Sequence, residues 1–318
     1  MPALQICYHD HCFDGVASAA TFLRFYRDKV RPVQDPAFKG MAHRAGQLFG
    51  EDVFSGDENA VVDFRFSADP RLTWWFDHHQ SAFETASDEA AFRADKSGKK
   101  FWDPTAKSCT RFLARIAREK FGWDPSPLSE LIEWAEVIDG ALFQSPQTAV
   151  ALSDPAMQLM LLIEATKDPA LGPRLIRELA ERPLSAVLRE RWVIEPLQPL
   201  LARHHEIVRT VTGRIRLEGG VATYDLADLG IDNVNKFIAY AADERTLYTV
   251  SVTRGPNRSK ISLGSNPWKQ PQRKHNLAQI AERYGGGGHP AVAAISFPPD
   301  EIEHAREAAR VIAEELRH

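Results

Sequence analysis

The stretch LQICYHDHCFDGVASAATFL, residues 4–23, changes its pattern midway. Residues 4–8 form a short apolar run, as a buried strand would. The polar segment His9-Asp10-His11-Cys12-Phe13-Asp14-Gly15 follows. Val16, Ala20 and Leu23 then recur at the spacing of one helix face. Strand, polar loop and helix open an α/β sheet, and such sheets hold ligands beyond the carboxyl ends of their strands. His9 to Asp14 stand at that position.

Outward from this unit, residues 60–63 and 73–76 read as strands that run into Asp63 and Asp77. Residues 105–121 and 126–138 read as helices, the second leading into Asp139-Gly140. Residues 156–188 are helical in pattern, with breaks at Gly172, Pro173 and Pro183. Pro196 and Pro199 predict another break, before a helix through Leu200, Leu201, Val208 and Val211. Strands are predicted at 214–217, 221–225, 247–252, 260–263 and 291–297, and helices at 276–284 and 300–317. In the last, Ile302, Ala305, Ala309, Ile312 and Leu316 keep the spacing of a face packed on a sheet. The expected fold is α/β. A mainly parallel-sheet domain covers 1–195, a linker or helix 196–212, and a smaller α/β domain 213–318.

The 318 residues suit two domains of about 150 each. At 44% apolar, the chain can bury a core. Lys+Arg 39 against Asp+Glu 43 gives a net charge of -4, which excludes a polycation that coats long nucleic acid but not a local basic pocket. Cys7, Cys12 and Cys109 give no disulfide framework and suit a reducing compartment. The start MPALQICYHDH lacks a basic-then-apolar signal pattern. The apolar run near 157–163 falls far short of the ~20 residues that cross a bilayer. A cytoplasmic protein without a membrane partner is expected.

Four places put Asp or His at a predicted strand or helix end: residues 9–14, Asp63, Asp77-His78-His79 and Asp139. Any one Asp alone reads as a cap. The ordered series reads differently, because carboxylates buried together need cations. Two divalent metals bridged by one carboxylate would meet that need and arm a shared water against phosphorus. Mixed His and Asp ligands suit manganese, zinc or iron.

The series resembles the DHH phosphoesterase superfamily, whose name is spelled here by Asp77-His78-His79. YHDHCFDGVASA (8–19) is similar to its first motif, in the variant Tyr-His-x-x-Cys-x-Asp-Gly. VVDF (61–64), FDHHQSA (76–82) and VIDG (137–140) resemble the second, third and fourth. YGGGGHPAVAA (284–294) resembles the Gly-Gly-Gly-His segment of the DHH-associated substrate-binding domain. The resemblance implies that Asp63 bridges two metals, that Asp14, His78 and Asp139 complete one site, and that His9 serves the other. It implies that Asp77 orients a neighbouring imidazole and that His79 faces the substrate phosphate, stabilising its charge or protonating the leaving oxygen. Many relatives carry His-x-x-x-Asp-x-Asp in the first motif. Here the spacing from His9 to Asp14 is one shorter, and Cys12 stands where the first Asp would be. Either Cys12 binds as a thiolate, or Asp10 or His11 substitutes, or the first site is weak or empty. Two divalent ions are implied, manganese first, with magnesium, cobalt or zinc as alternatives.

Glycines let a backbone approach phosphate closely, so Gly286, Gly287, Gly288 and His289 are expected substrate contacts, although a Gly run alone reads as a turn. Arg254, Asn257, Arg258, Ser259 and Lys260 form a basic cluster. Arg258-Ser259 best matches the family's Arg-Ser pair, which grips a terminal phosphate or base. Ser108, in Lys107-Ser108-Cys109-Thr110, either faces phosphate at a helix start or caps the helix. Arg65 is a further candidate. Trp74, Trp75 and Trp102 either stack a base or fill the core.

The expected reaction is metal-dependent hydrolysis of a phosphate ester in short oligonucleotides, linear or cyclic dinucleotides or nucleoside bisphosphates. The alternatives are a pyrophosphatase or exopolyphosphatase, and a catalytically degenerate nucleotide-binding protein. No long duplex partner is expected, and an oligomer stays open.

Overall fold

A computed structural model describes residues 3–42, 49–50, 52–231 and 234–318. Two compact units divide the chain: Met1–Phe143 with Ser153–Leu200, and Gln144–Leu152 with Leu201–His318.

In the first unit, the expected opening strand is β1 (Leu4–His9) and the helix after it is α1 (Phe13–Lys29). Then come β2 (Ala37–Met41), β3 (Glu58–Val62), β4 (Leu72–Asp77), α2 (Ala86–Ala94) and β5 (Lys100–Trp102). The strands form one parallel sheet in the order β2-β1-β3-β4-β5. The strand order therefore switches between β1 and β3. In open α/β sheets the crevice outside the carboxyl ends at such a switch receives the ligand. Helices α3 (Cys109–Phe121) and α4 (Ser129–Asp139) follow. α5 (Pro146–Ala151) belongs to the second unit, and α6 (Pro155–Ala165), α7 (Leu171–Leu179) and α8 (Leu184–Leu188) return to the first.

Helix α1 packs against α3, α4 and α7, and every residue from Phe13 to Leu23 is buried. Only a helix that is small or apolar on every face fits there, which Ala17, Ala19 and Ala20 provide. Trp74 and Trp75 point to opposite faces of β4 and are 1% and 0% exposed, so they fill the core on both sides of the sheet.

Two predicted breaks are corrected. Gly172 and Pro173 open α7 rather than interrupt it; the amide that proline lacks has no intrahelical partner in the first turn. Pro196 and Pro199 lie inside α9 (Arg191–Arg214), which runs through both. Val193 and Leu197 are buried, and that packing outweighs the lost backbone bonds.

In the second unit, β6 (Arg216–Glu218), β7 (Val221–Asp225), α10 (Ile238–Ala242), β8 (Tyr248–Arg254) and β9 (Ser259–Ser265) precede α11 (Leu277–Glu282), β10 (Gly287–His289), β11 (Val292–Phe297) and α12 (Ile302–Glu315). The sheet order is β10-β11-β9-β8-β7-β6, antiparallel except for β7 with β8. Val250, Ile261, Leu263 and Ile295 of its strands share a core with Leu277 of α11 and with Ala305, Ala309 and Ile312 of α12. The tail of the glycine run, which taken alone reads as a turn, is the edge strand β10. Among the described residues no helix is long and apolar enough to cross a membrane.

A Cβ on Gly172 would stand 2.2 Å from the Tyr8 hydroxyl oxygen. Gly172→Ala should therefore cost about 1–3 kcal/mol of stability in urea unfolding. Adding Tyr8→Phe should recover part of that loss. An equal loss in the single and double variants would refute the clash.

Candidate metal centre

His9 ends β1, and Asp14 lies in the first turn of α1. The turn between them is tight: a Cβ on Gly15 would stand 2.0 Å from the His9 carbonyl oxygen, so only glycine lets the helix begin there. Asp14 is 1% exposed, and its carboxylate is held by the start of α3. Oδ2 accepts the Cys109 N–H at 2.6 Å and Oδ1 the Thr110 N–H at 3.1 Å. Sequence reasoning missed these two amides, although a Ser cap before a helix marks where such donors lie. Ser108 is that cap. Its side chain is buried and its Oγ accepts the Arg111 N–H at 3.1 Å.

Asp63 follows β3 directly with φ at 57°, in the left-handed region. Asp tolerates that region better than most residues, at a cost of about 1 kcal/mol or more. Its N–H donates to the Phe76 carbonyl at 2.9 Å, which continues the sheet and fixes the side chain. The two carboxylate oxygens face different partners. Oδ2 is 3.3 Å from His9 Nδ1, and Oδ1 is 3.3 Å from His78 Nε2. Neither oxygen receives an aligned hydrogen bond among the described residues, although Asp63 is 1% exposed.

His78 donates from Nδ1 to the Ala106 carbonyl at 3.1 Å, which assigns Nε2 to the cluster. That atom stands 3.4 Å from Asp139 Oδ2 and 3.8 Å from Asp14 Oδ2. Asp77 is fully buried. Its Oδ1 accepts the His78 N–H at 2.8 Å and holds His79 Nδ1 at 2.7 Å. Trp102 Nε1 donates to the His79 carbonyl at 2.9 Å, so the indole supports the site backbone.

Donor atoms of His9, Cys12 and Asp63 lie within 4.8 Å of one another, as do those of Asp63, His78 and His79 and those of Asp14, His78 and Asp139. Cys12 occupies the N-cap position of α1 without capping through its side chain. Asp10 and His11 join none of these groups. Asp10 Oδ1 accepts the His11 N–H at 2.9 Å, and His11 Nδ1 meets the Ile163 carbonyl at 3.4 Å.

Burial, then the Asp63 and Asp139 charges, push Asp14 well above the usual carboxylate range. Burial and then Asp63 also raise Asp139, the most exposed of the three. Burial opposes a charge on Asp63, but the His78 and His9 imidazoles outweigh it and hold this carboxylate low. Burial likewise opposes a charge on His78, yet Asp63 and Asp14 overcome it and raise the imidazole to about 10. Burial, then Asp63 and Asp14, push the Cys12 thiol well above its ordinary value. Unbonded Asp63 oxygens and a mixed carboxylate, imidazole and thiol donor set fit divalent metals.

The second unit separates its expected substrate contacts. Gly287 pairs with Ala294, and His289 with Val292, which pairs with Gly264. Ser259 is five residues away along β9, roughly 17 Å at ~3.4 Å per residue, and Arg258 lies one residue beyond. The two groups do not meet at one phosphate. Ser259 is buried and its hydroxyl donates to the Pro299 carbonyl at 3.3 Å. A Cβ on Gly286 or Gly288 would run into β11, at 2.4 Å from the Ala294 oxygen and 2.5 Å from the Val292 oxygen. At Gly287 a Cβ would meet nothing within 4 Å, so the chain itself does not require glycine there.

No family model and no curated protein matches the sequence. Solved structures do match. A pGpG-specific phosphodiesterase, PggH from Vibrio cholerae, is similar with a TM-score of 0.72 at 17% identity, over 99% of each chain. The DHH domain of a member of the s1p family of ribosomal proteins gives 0.56 at 15% identity, over 99% of this chain and 87% of that one. RecJ from Thermus thermophilus, in complex with Mn2+, gives 0.50 at 14% identity, over 99% of this chain and 52% of that one.

Because His78 is raised to about 10, metal binding should release its proton, and affinity for manganese should rise between pH 6 and 9. Calorimetry in buffers of different ionisation heat measures this; binding with no proton release at pH 7 contradicts the assignment. The chain shares its fold with these structures, a DHH domain among them, and carries the Asp77-His78-His79 triplet at the carboxyl edge of its parallel sheet.

Proposed function

We propose that this protein is a metal-dependent phosphoesterase acting on short oligonucleotides, linear or cyclic dinucleotides or nucleoside bisphosphates, with manganese as the preferred metal. The observation that carries the reading is Asp63, one strained and buried carboxylate with each oxygen 3.3 Å from the imidazole of a different donor group. When bound, a pair of divalent ions supplies a nucleophilic water at neutral pH and offsets charge on the phosphoryl oxygens. Asp63 would be shared between the ions. Asp14, His78 and Asp139 would hold one, and His9 with Cys12 the other.

The chain's own groups set the rest. The Cys109 and Thr110 amides fix the Asp14 carboxylate, and the Ala106 carbonyl fixes the His78 ring. Burial opposes protonation of His79, but Asp77 outweighs it and raises that imidazole. With Nδ1 held by Asp77, Nε2 is the atom from which His79 stabilises the phosphate or passes a proton to the leaving oxygen. In the second unit, His289 Nδ1 accepts the Ala291 N–H at 3.4 Å, so Nε2 of the neutral ring carries the proton and donates. Beside it, open space at Gly287 lets a phosphate approach the backbone. The similarity to a pGpG-specific phosphodiesterase and to manganese-bound RecJ supports both the substrate class and the metal.

Asp63→Asn keeps the volume and the left-handed backbone but cannot bridge. It should lower turnover of a linear RNA dinucleotide with manganese by roughly 1000-fold, about 4 kcal/mol, with an unchanged circular dichroism spectrum. His79→Asn should lower kcat by about 100-fold without changing bound manganese. Full activity in Asp63→Asn, or a wild type inert toward every phosphate ester in a screen with each metal, refutes the reading.

A further inference from the structure

From Arg245 to Ala281 the chain carries seven Lys or Arg and no Asp or Glu, although its net charge is -4. The second sheet sends these cations to its two ends. Arg254 and Arg258 lie at the β8–β9 hairpin. Lys269, Arg273 and Lys274 lie in the loop that leaves β9 at its other end and enters α11.

Backbone bonds tie that loop to the strand turn bearing His289. The Ser265 N–H donates to the Ala291 carbonyl at 2.9 Å, and the Leu277 N–H to the Pro290 carbonyl at 3.1 Å. The loop itself is pinned. Asn266 Oδ1 accepts the Trp268 N–H at 2.9 Å, and its amide donates to the Thr246 carbonyl at 2.8 Å. The Tyr248 hydroxyl accepts the Lys274 N–H at 2.7 Å and the His275 N–H at 3.2 Å. Arg273, Lys274 and His289 are exposed, and neither Arg273 nor Lys274 forms an ion pair among the described residues. Lys269 donates to the backbone carbonyl of Glu244. A solvated cation needs no fixed backbone. A phosphate contact does, because position sets the geometry, and a run of cations without an acid between them keeps its local field positive.

We propose that Arg273 and Lys274 form a second phosphate subsite beside His289, which holds a backbone phosphate of a single nucleic-acid strand. This residue assignment rests on the phosphoesterase reading and adds a length preference to it: the subsite selects substrates with at least two phosphates along a single strand. Arg and Lys then act as positioning residues and take no part in bond cleavage.

The test is binding of an RNA pentanucleotide to the full chain in EDTA, across a salt series. Arg273→Gln/Lys274→Gln should raise Kd about tenfold and flatten the slope of log K against log salt by roughly 0.7 for each phosphate no longer neutralised. Arg310→Gln, which removes a cation paired with Glu307 on α12, should change neither. In manganese, the double variant should raise KM for the pentanucleotide more than for a nucleoside 3′,5′-bisphosphate. Thermal melts confirm folding. Wild-type affinity in the double variant, an equal effect of Arg310→Gln, or no binding by the wild type overturns the subsite. If the wild type binds RNA with the expected loss in the double variant but hydrolyses nothing with any metal, the subsite stands and the phosphoesterase reading falls.

Discussion

Asp14, Asp63 and Asp139 converge on one imidazole nitrogen, His78 Nε2, at 3.8, 3.3 and 3.4 Å. Two of the three are 1% exposed. Bringing these charges together out of water is strongly unfavourable without compensation. Within the chain the nearest compensation is the proton that Asp63 and Asp14 hold on His78, against the pull of burial. One positive charge does not balance three carboxylates; burial first, and then the neighbouring carboxylates, raise Asp14 and Asp139. Other groups restrain the cluster: two amides on Asp14, a carbonyl on His78, and a sheet hydrogen bond on the Asp63 backbone.

The sheet order explains how residues far apart in sequence reach one point. With β1 between β2 and β3, the carboxyl ends of β1, β3 and β4 lie side by side. His9, Asp63 and the Asp77-His78-His79 triplet are the residues at those ends. Gly15 allows α1 to start against His9 and so brings Asp14 to the same edge. Asp139 arrives as the last residue of α4. A local cost at Asp63 is tolerated because the flanking strands fix its φ, which is how strain persists at functional sites.

Much of this was legible because chemistry and secondary structure share a signal. Apolar runs that end in Asp or His announce both a strand and a ligand position, and the strands that end at His9, Asp63 and Asp77 follow from that pattern; Cys12 as a metal ligand comes only from the resemblance. Other features carry no such signal. β2 and β5 are edge strands, paired on one side only, and AFKGM and KFW show no alternation over a useful length. Pro196 and Pro199 look like breakers because their cost is local, whereas the packing of Val193 and Leu197 that overrides it is tertiary. Ser108 fits equally as cap or ligand in sequence; only its buried bond to the Arg111 amide shows how the hydroxyl is used. Arg258 and His289 both look like substrate contacts in sequence, and only the register of β9, β10 and β11 shows that they lie at opposite ends of the sheet.

The distribution of charge follows the same logic on a larger scale. A chain of net charge -4 would repel a polyanion if its acids were spread evenly. Instead acids of the first unit gather at the carboxyl edge of its sheet, and β8, β9 and the loop after them are free of acids altogether. One unit therefore carries a local negative field and the other a local positive one. Screening confines each field to about 8 Å at physiological salt, so opposite signs can coexist in one protein of near-neutral charge. Most buried positions need only be apolar and of about the right size to keep a fold. That is a physical basis for a TM-score of 0.72 at 17% identity.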